Sequence, residues 1–310
     1  MPPDAVLCYG QRIMKRPLTH AFLAAALSAA ACYGQPTPKL GSQVDSYPTF
    51  ALEAGELSGF SGLAVSTDIG VWAVPERDRT LVRLGPTADG QLTVVAKLPL
   101  VGVPDGLDTE SLAMLGPTQM ALGTETLEGG RTHDAILLVV LGPGSAEVAD
   151  RVDVDYRLWK MTAPRNQGLE ALCSTPGSLW VAAEAVGEAD GRRFAPLARL
   201  DLATRTWQTF RLWLTTDTGK ISSLACRPAS QPGVVDLIAL ERHFSVSRLL
   251  YVRATAGAGS ADLAPVVALD FAGIAEPLPN FEGVDWLDRD RLVVVSDNNS
   301  GGITGPTTVM

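Results

Sequence analysis

The sequence predicts an all-β protein, and three observations support this fold class. Short apolar runs recur between clusters of Gly, Pro, Asp and Asn, as in a chain of β-strands joined by turns. After residue 32, no segment has the apolar spacing of a long amphipathic helix. One pattern also occurs five times: an acid or Ser, a small residue, an aliphatic residue, a turn, and an apolar run that ends in an acid. We therefore expect a β-propeller of four-stranded antiparallel blades.

The five copies of this repeat are regularly spaced. They begin 49, 60, 52 and 60 residues apart, at Ser61, Glu110, Glu170, Ser222 and Glu282. The closing acids follow after 15, 15, 14, 19 and 15 residues, at Glu76, Glu125, Glu184, Glu241 and Asp297. A period of this size is typical of one supersecondary unit used repeatedly. Five copies favour five blades, and six blades are the alternative if one long repeat contains two short ones.

Each of the first four copies offers four apolar runs, which is the strand number of a propeller blade. In the first two copies the runs are 62–65, 71–74, 81–84 and 92–98, then 111–115, 120–124, 135–141 and 147–154. In the next two they are 169–173, 179–183, 197–202 and 207–214, then 221–225, 234–240, 249–253 and 265–271. The fifth copy is shorter, with 281–287, 292–296 and 307–310. We expect a strand from residues 47–52 to complete it and close the ring.

Residues 14–32 have the features of an export signal. A basic start, Met14-Lys15-Arg16, precedes an apolar stretch that is too short to span a bilayer comfortably. Three alanines then precede Cys32. This ending fits a bacterial lipobox, in which Cys32 is lipidated, and equally an ordinary cleaved signal. We expect a leader over 1–32, a tether over 33–46 and a single propeller domain over 47–310.

These features predict an exported protein, either an outer-membrane or periplasmic lipoprotein or a secreted one. The formal net charge is −9, and no patch of Lys and Arg is visible. Nucleic acid and anionic membrane surfaces attract such patches, so the charge argues against both as main partners. We expect membrane contact only through a lipid at Cys32, and we expect a monomer.

Two cysteines, Cys173 and Cys226, belong to the propeller domain, in consecutive repeats. Cys173 follows the repeat's aliphatic residue by one position and Cys226 follows it by two, so their side chains point to opposite strand faces. Neighbouring blades meet through opposite faces, and an exported protein permits a disulfide. We expect either this disulfide or two separate buried thiols.

The repeat concentrates acids at one end of a propeller channel. The first strand of each blade lines the axis, and the antiparallel second strand returns to the same face. Carboxylates held close together either share protons or bind a cation, and oxygen ligands suit Ca²⁺ or Mg²⁺. The proposed catalytic residues are Glu110, Glu170, Glu282 and, for an anionic substrate group, Arg242. The proposed metal ligands are Glu125, Glu184, Glu241, Asp297 and Asn298.

An alternative role for these acids is structural. Carboxylates at strand ends also accept hydrogen bonds from backbone amides or pair with arginine between blades. Arg77 and Arg242 each directly follow a marked glutamate, which favours such pairs.

The ordered set of repeat motifs resembles the bacterial propeller family described as esterase-like activity of phytase. The resemblance covers about residues 58–300 and rests on these segments: Ser61-Gly62-Leu63, Asp108-Thr109-Glu110-Ser111-Leu112-Ala113, Asn166-Gln167-Gly168-Leu169-Glu170-Ala171-Leu172, Leu240-Glu241-Arg242, Phe281-Glu282-Gly283-Val284 and Val295-Ser296-Asp297-Asn298-Asn299. It implies a β-propeller and an esterase or phosphoesterase activity. Two features depart from the family pattern. Val74-Pro75-Glu76 stands where Ser-Asp is commoner, and no cluster of basic residues suits a hexakisphosphate.

The sequence therefore supports two functional hypotheses. The first is an exported phytase-like propeller with a metal-assisted esterase or phosphoesterase site at the acidic mouth, using Ca²⁺ and a small-molecule ester or phosphoester. The second is a non-catalytic cell-surface propeller that binds a ligand or a protein. Calcium binding measured beside hydrolysis separates the two.

Overall fold

The computed structural model describes residues 50–52, 57, 59–66, 70–86, 92–257, 261–273, 278–297 and 308–309. In these ranges the chain forms twenty-two β-strands and two 3₁₀ turns, Tyr156–Trp159 and Phe271–Gly273, and no α-helix. The predicted all-β fold is confirmed. The leader with Cys32, the tether over 33–46, and Asn298 lie outside the described residues. Within those ranges, no helix is long and apolar enough to cross a bilayer.

The first two repeats form two antiparallel four-stranded units. The first unit consists of β2 (Phe60–Ser66), β3 (Gly70–Pro75), β4 (Thr80–Pro86) and β5 (Leu92–Val101). The second consists of β6 (Asp108–Gly116), β7 (Gln119–Glu125), β8 (His133–Leu141) and β9 (Ala146–Asp155). Their outer strands β5 and β9 are joined by a short parallel pairing, Leu100 with Ala146 and Val101 with Glu147.

The third and fourth units follow the same plan. The third has β10 (Ala171–Thr175), β11 (Ser178–Ala182), β13 (Arg192–Asp201) and β14 (Trp207–Trp213), with the short β12 (Gly187–Ala189) paired to β13. The fourth has β15 (Lys220–Pro228), β16 (Val234–His243), β17 (Val246–Thr255) and β19 (Val266–Asp270). Between β17 and β19 the chain lends β18 (Ala261–Leu263), which extends the third sheet by pairing in parallel with β14.

The last unit joins the two ends of the described chain. It contains β20 (Asn280–Trp286), β21 (Leu292–Asp297) and β22 (Thr308–Val309), and β1 (Phe50–Ala51) is its outermost strand. Phe50 pairs with Val309 and Ala51 with Thr308. A strand from the N-terminal side thus completes the last sheet, at the position that the sequence predicts.

The hydrophobic core is divided among the interfaces between neighbouring sheets. Middle strands such as β11 are buried on both faces, which explains their continuous apolar runs. In the described part of the chain there are five clusters of buried apolar side chains, and each is shared by two units: the first with the second, second with third, third with fourth, fourth with fifth, and fifth with first. This cyclic order closes the sheets into a ring. The predicted β-propeller is confirmed, and the number of blades stays a prediction.

Candidate functional site: an acidic mouth at one end of the ring

The first marked position of the repeat is a β-bulge in four of the five inner strands. The register between inner and second strand shifts around Ser61, Glu110, Ser222 and Glu282. A bulge leaves one residue unpaired and turns its side chain out of the regular alternation. Glu170 has an equivalent place directly before β10. The repeat therefore directs these five side chains toward the same end of the ring.

The small residue that follows each marked position permits close packing of the inner strands. A Cβ atom on Gly62 would lie 2.7 Å from the backbone N of Leu112 in the next unit. A Cβ on Gly283 would lie 2.7 Å from the Cβ of Leu63. Where the small residue is Ser111, its hydroxyl donates a hydrogen bond to the Leu169 carbonyl at 2.6 Å. These contacts hold adjacent inner strands together and so bring the acids of neighbouring units close.

Four carboxylates from the first two units form what we call the acidic cluster: Glu76, Asp108, Glu110 and Glu125. One oxygen from each lies within 4.8 Å of the others. Glu76 directly follows β3, Asp108 and Glu110 belong to β6, and Glu125 ends β7. Asp108 and Glu125 are paired in the β6–β7 register. The cluster thus arises where the first two units meet.

The acidic cluster has little positive charge beside it. Arg77 contacts Glu76 at 2.9 Å and Asp108 at 4.0 Å, but its side chain is 70% exposed. An ion pair this exposed contributes little. Inside the cluster, Glu125 Oε2 accepts a hydrogen bond from the Gly168 backbone N–H at 3.0 Å. Among the described residues, no N–H or hydroxyl group donates to the buried Glu110 Oε1, while a side-chain hydrogen bond from Glu110 lowers the pKa of Glu125. The cluster therefore holds a buried oxygen for which the described part of the chain supplies no amide or hydroxyl donor.

Burial and mutual repulsion disfavour ionisation of the two innermost carboxyls. Burial raises the pKa of Glu110 well above its usual value, and the charges of Glu125 and Glu76 raise it further. Burial, with the charge of Glu184, raises the pKa of Glu125 to about 7, although Arg131 and the Gly168 N–H oppose the shift. Both shifts favour the protonated carboxyls, and a bound cation would favour the ionised ones instead.

The opposite side of the mouth is neutralised by basic side chains of the fourth unit. Arg242 forms a bidentate ion pair with Glu282, with Nη2 2.6 Å from Oε1 and Nε 3.0 Å from Oε2. Lys220 lies 3.3 Å from Glu184, and Arg242 Nη2 lies 4.0 Å from the same carboxylate. Asn280 donates to Glu282 at 2.7 Å. Burial still raises the pKa of Glu282 to about 7, because the attraction of Arg242 offsets the desolvation only in part.

Glu170 connects the two sides electrostatically. Burial raises its pKa well above the usual value, and the charges of Glu110, Glu184, Glu125 and Glu282 all add to the effect. These carboxylates come from β6, β7, β20 and the ends of β10 and β11, so side chains from the second, third and fifth units act on one another. The sequence-predicted residues Glu110, Glu125, Glu170, Glu184, Glu282 and Arg242 are thus brought together.

Two other predicted ligands have different surroundings. Glu241 is fully buried, and both of its oxygens accept hydrogen bonds from the backbone or hydroxyl groups of Thr215 and Thr216. Glu241 therefore holds the loop between β14 and β15 in place through hydrogen bonds. This is the structural role that the sequence predicted as the alternative for these acids. Asp297 ends β21, and its charge raises the pKa of Glu282. Metal binding by either residue stays a prediction.

The disulfide lies in the channel wall below the mouth. Cys173 on β10 and Cys226 on β15 are bonded, with their Cα atoms 5.6 Å apart. The bridge links the inner strands of the third and fourth units.

Sequence reasoning did not select Asp108 as a ligand. It lies outside the marked positions, two residues before Glu110, where simple alternation places it on the same strand face. Both carboxylates lie in the cluster. Its two-residue spacing from a marked acid is the sequence signal that would have pointed to it.

Several solved structures align with this chain at low sequence identity. An exo-β-1,3-galactanase from Phanerochaete chrysosporium aligns with a TM-score of 0.51 and 9% identity, over 85% of this chain and 64% of that one. A thermostable family-43 glycoside hydrolase aligns with a TM-score of 0.48 and 9% identity, over 84% and 91%. Bacillus subtilis arabinanase Arb43A gives 0.44 and 13%, over 82% and 92%. These likenesses concern the fold alone.

Among curated proteins, none is significantly similar to this sequence. A family model does match, and it covers residues 55–300, most of the chain. The match spans all five repeats and the acidic mouth that they form. The chain belongs to the phytase-like family described as esterase-like activity of phytase.

Proposed function

We propose that the acidic cluster binds a divalent cation, Ca²⁺ by its donor chemistry, and that the protein uses it to hydrolyse a small ester or phosphoester. The observation that carries this proposal is the acidic cluster itself: four carboxylates place one oxygen each within 4.8 Å of the others, and the buried Glu110 Oε1 receives no hydrogen bond from an amide or hydroxyl group of the described residues. A buried acceptor in this state is costly unless a ligand satisfies it.

The donor set fits calcium. Ca²⁺ takes six to eight oxygen ligands at about 2.3–2.6 Å, so oxygens on opposite sides of the ion are about 5 Å apart. The four carboxylates of the cluster offer up to eight oxygens, and one oxygen from each already lies within 4.8 Å of the rest. Mg²⁺ prefers fewer protein ligands and several waters, so a four-carboxylate set favours Ca²⁺.

The remaining mouth residues have distinct roles in this proposal. A bound cation would polarise the ester oxygen and stabilise negative charge that develops on it. Glu170, whose pKa burial raises well above the usual value, holds a proton at neutral pH and is the candidate acid for the leaving group. Arg242 is 24% exposed and has donors beyond the two that Glu282 occupies, so it can contact an anionic substrate group.

A hydrolysis assay tests the proposal. Purified protein is freed of metal with a chelator and assayed on p-nitrophenyl acetate and p-nitrophenyl phosphate, with and without added Ca²⁺. We expect activity only with Ca²⁺, and at least a tenfold loss in Glu110→Gln and in Glu170→Gln, as is typical when a general acid or a metal ligand is removed. Glu147→Gln, which changes an exposed glutamate on β9, is the matched control and retains full activity.

Two outcomes go against the hydrolase. Turnover that ignores chelation and both mouth substitutions would reject the site. Calcium binding without turnover of either ester would favour the second hypothesis, a non-catalytic cell-surface binding propeller.

Export and lipidation at Cys32 belong to the same proposal and are supported by the sequence features of residues 14–32. Expression of the full chain in a bacterium, followed by fractionation, tests them. Lipidation predicts that the protein sediments with membranes and that Cys32→Ala releases it. An unchanged distribution in Cys32→Ala would contradict the lipid anchor.

A further inference from the structure

A second concave site lies along the ring axis, between the inner strands. All five inner strands line a cavity of about 170 Å³. The side chains that they contribute include Val65 from β2, Met114 from β6, Ser174 from β10, Cys226 from β15 and Trp286 from β20. These five lie four residues after the first marked position of their repeats, and the lining starts nearer the mouth, at Leu112 and Leu172, two residues after Glu110 and Glu170. At about 3.3 Å per residue the lining extends over about 7–13 Å along the strands from the marked acids. None of the acids of the mouth belongs to the lining of this cavity.

The cavity is lined by both aliphatic side chains and polar atoms, and it contains one carboxylate, Asp285. The other lining residues are aliphatic side chains, Met114, the Cys173–Cys226 disulfide, Trp286 and Ser174. The Ser174 hydroxyl donates a hydrogen bond to the Met114 carbonyl. The lining as described therefore includes no basic residue that would neutralise the carboxylate.

Asp285 has backbone amides as its partners. Its Oδ2 accepts a hydrogen bond from the Val65 N–H at 2.7 Å, and its Oδ1 accepts one from the Trp286 N–H at 2.7 Å. Among the described residues, no arginine or lysine forms an ion pair with it. Each carboxylate oxygen can accept a second hydrogen bond. A cationic donor is what this carboxylate lacks.

We propose that the cavity binds a small organic ammonium ion, with its charged nitrogen on Asp285 and its apolar body against the aliphatic wall. The volume sets the size of the ligand, because an apolar protein cavity of about 150 Å³ accommodates a benzene molecule. The ligand class is thus a primary amine with one ring or a short branched chain. A cation is favoured over a neutral molecule because this half-buried carboxylate forms no ion pair among the described residues and gains most from an opposite charge.

Benzylamine is a suitable probe, and benzyl alcohol is its neutral isostere. Burial raises the pKa of Asp285 to about 7, so titration calorimetry at about pH 8 presents an ionised carboxylate to a protonated amine. We expect benzylamine to bind at least tenfold more tightly than benzyl alcohol, since hydrogen bonds to charged partners exceed neutral ones by about that factor. Equal affinities, or no binding of benzylamine, would overturn the proposal.

Substitutions locate the site. Asp285→Asn should weaken benzylamine binding at least tenfold, by the same comparison of charged with neutral hydrogen bonds. Asp288→Asn, which removes an exposed carboxylate just beyond β20, should leave it unchanged. Glu110→Gln tests whether the amine binds at the acidic mouth instead. Binding lost in Glu110→Gln and kept in Asp285→Asn would overturn the proposal. If circular dichroism shows Asp285→Asn to be unfolded, the comparison of benzylamine with benzyl alcohol on the unchanged protein decides.

Discussion

Replacing Glu125 with Gln should stabilise the metal-free protein at alkaline pH. The pKa of Glu125 is raised from 4.5 to about 7, chiefly by burial and by the charge of Glu184. The folded state therefore binds this proton more tightly than the unfolded state does. The associated stability is fully present below about pH 4.5 and is lost as the pH rises through 7. A shift of roughly 2.5 units corresponds to about 3 kcal/mol, since one unit is about 1.4 kcal/mol.

The substitution keeps the local hydrogen bond while removing the charge. Gln retains a carbonyl oxygen that can accept the Gly168 N–H, which Glu125 Oε2 accepts at 3.0 Å. In chelator, urea denaturation at about pH 8 should show Glu125→Gln more stable than the unchanged protein by up to about 3 kcal/mol, and at about pH 4 the two should coincide. Glu147→Gln, an exposed control, should match the unchanged protein at both pH values.

Calcium should reverse the order of stability of the unchanged protein and Glu125→Gln. A cation that binds only the folded state stabilises it in proportion to its affinity, and Glu125→Gln removes a ligand. Saturating Ca²⁺ should therefore stabilise the unchanged protein more than the variant. The reasoning is refuted if Glu125→Gln is less stable than the unchanged protein at about pH 8 in chelator. In that case the favourable interactions of the ionised carboxylate would exceed the free energy of its desolvation.

Three further predictions concern the frame of the mouth. Arg242→Met leaves the carboxylate of Glu282 buried and without its ion-pair partner. The substitution should therefore destabilise the protein by about 3–5 kcal/mol at about pH 8 and by less under acidic conditions, as urea titrations at two pH values would show. An equal loss of stability at both pH values would contradict this. Replacing Cys173 and Cys226 with Ser should lower stability by about 4 kcal/mol, the estimate for a cross-link with their separation of 53 residues; unchanged denaturation would show that the bridge does not form. Gly168→Ala should lower the free energy of unfolding by about 1–3 kcal/mol and weaken Ca²⁺ binding, because the new Cβ would lie 2.1 Å from the Cβ of Glu125. A calorimetric Ca²⁺ titration that matches that of the unchanged protein would exclude that contact.

Much of the fold follows from the repeat. The period shows where each unit begins, and the antiparallel return of the second strand predicts that both marked positions meet at one end. Glu110, Glu125 and Glu170 act on one another's ionisation as that argument requires. The closing strand near residue 50 also follows from the shortness of the last repeat.

The division of the mouth into an acidic side and a neutralised side does not follow from the repeat. Lys220 and Arg242 lie at the facing ends of β15 and β16, where they are register partners, and from there they reach Glu184 of the third unit and Glu282 of the fifth. Such contacts between units depend on side-chain reach across a packed interface, which spacing along the chain does not encode.

Local loop structure decides the remaining differences. Glu241 has the repeat's closing position, yet the loop before β15 places Thr215 and Thr216 against it. The longer offset of its copy, 19 residues, is the sequence signal that this unit differs. β18 pairs in parallel with the third sheet, and the pattern of apolar runs in the sequence does not predict such a pairing between units.

Direct calcium titration of the chelator-treated protein tests the central claim most directly. Calorimetry in two buffers of different ionisation enthalpy gives both the stoichiometry and the protons released. The acidic cluster predicts one Ca²⁺ per chain, proton release near neutral pH because the raised pKa values of Glu110 and Glu125 keep them protonated beforehand, and loss of binding in Glu110→Gln. No calcium binding, or binding that Glu110→Gln leaves intact, would contradict it.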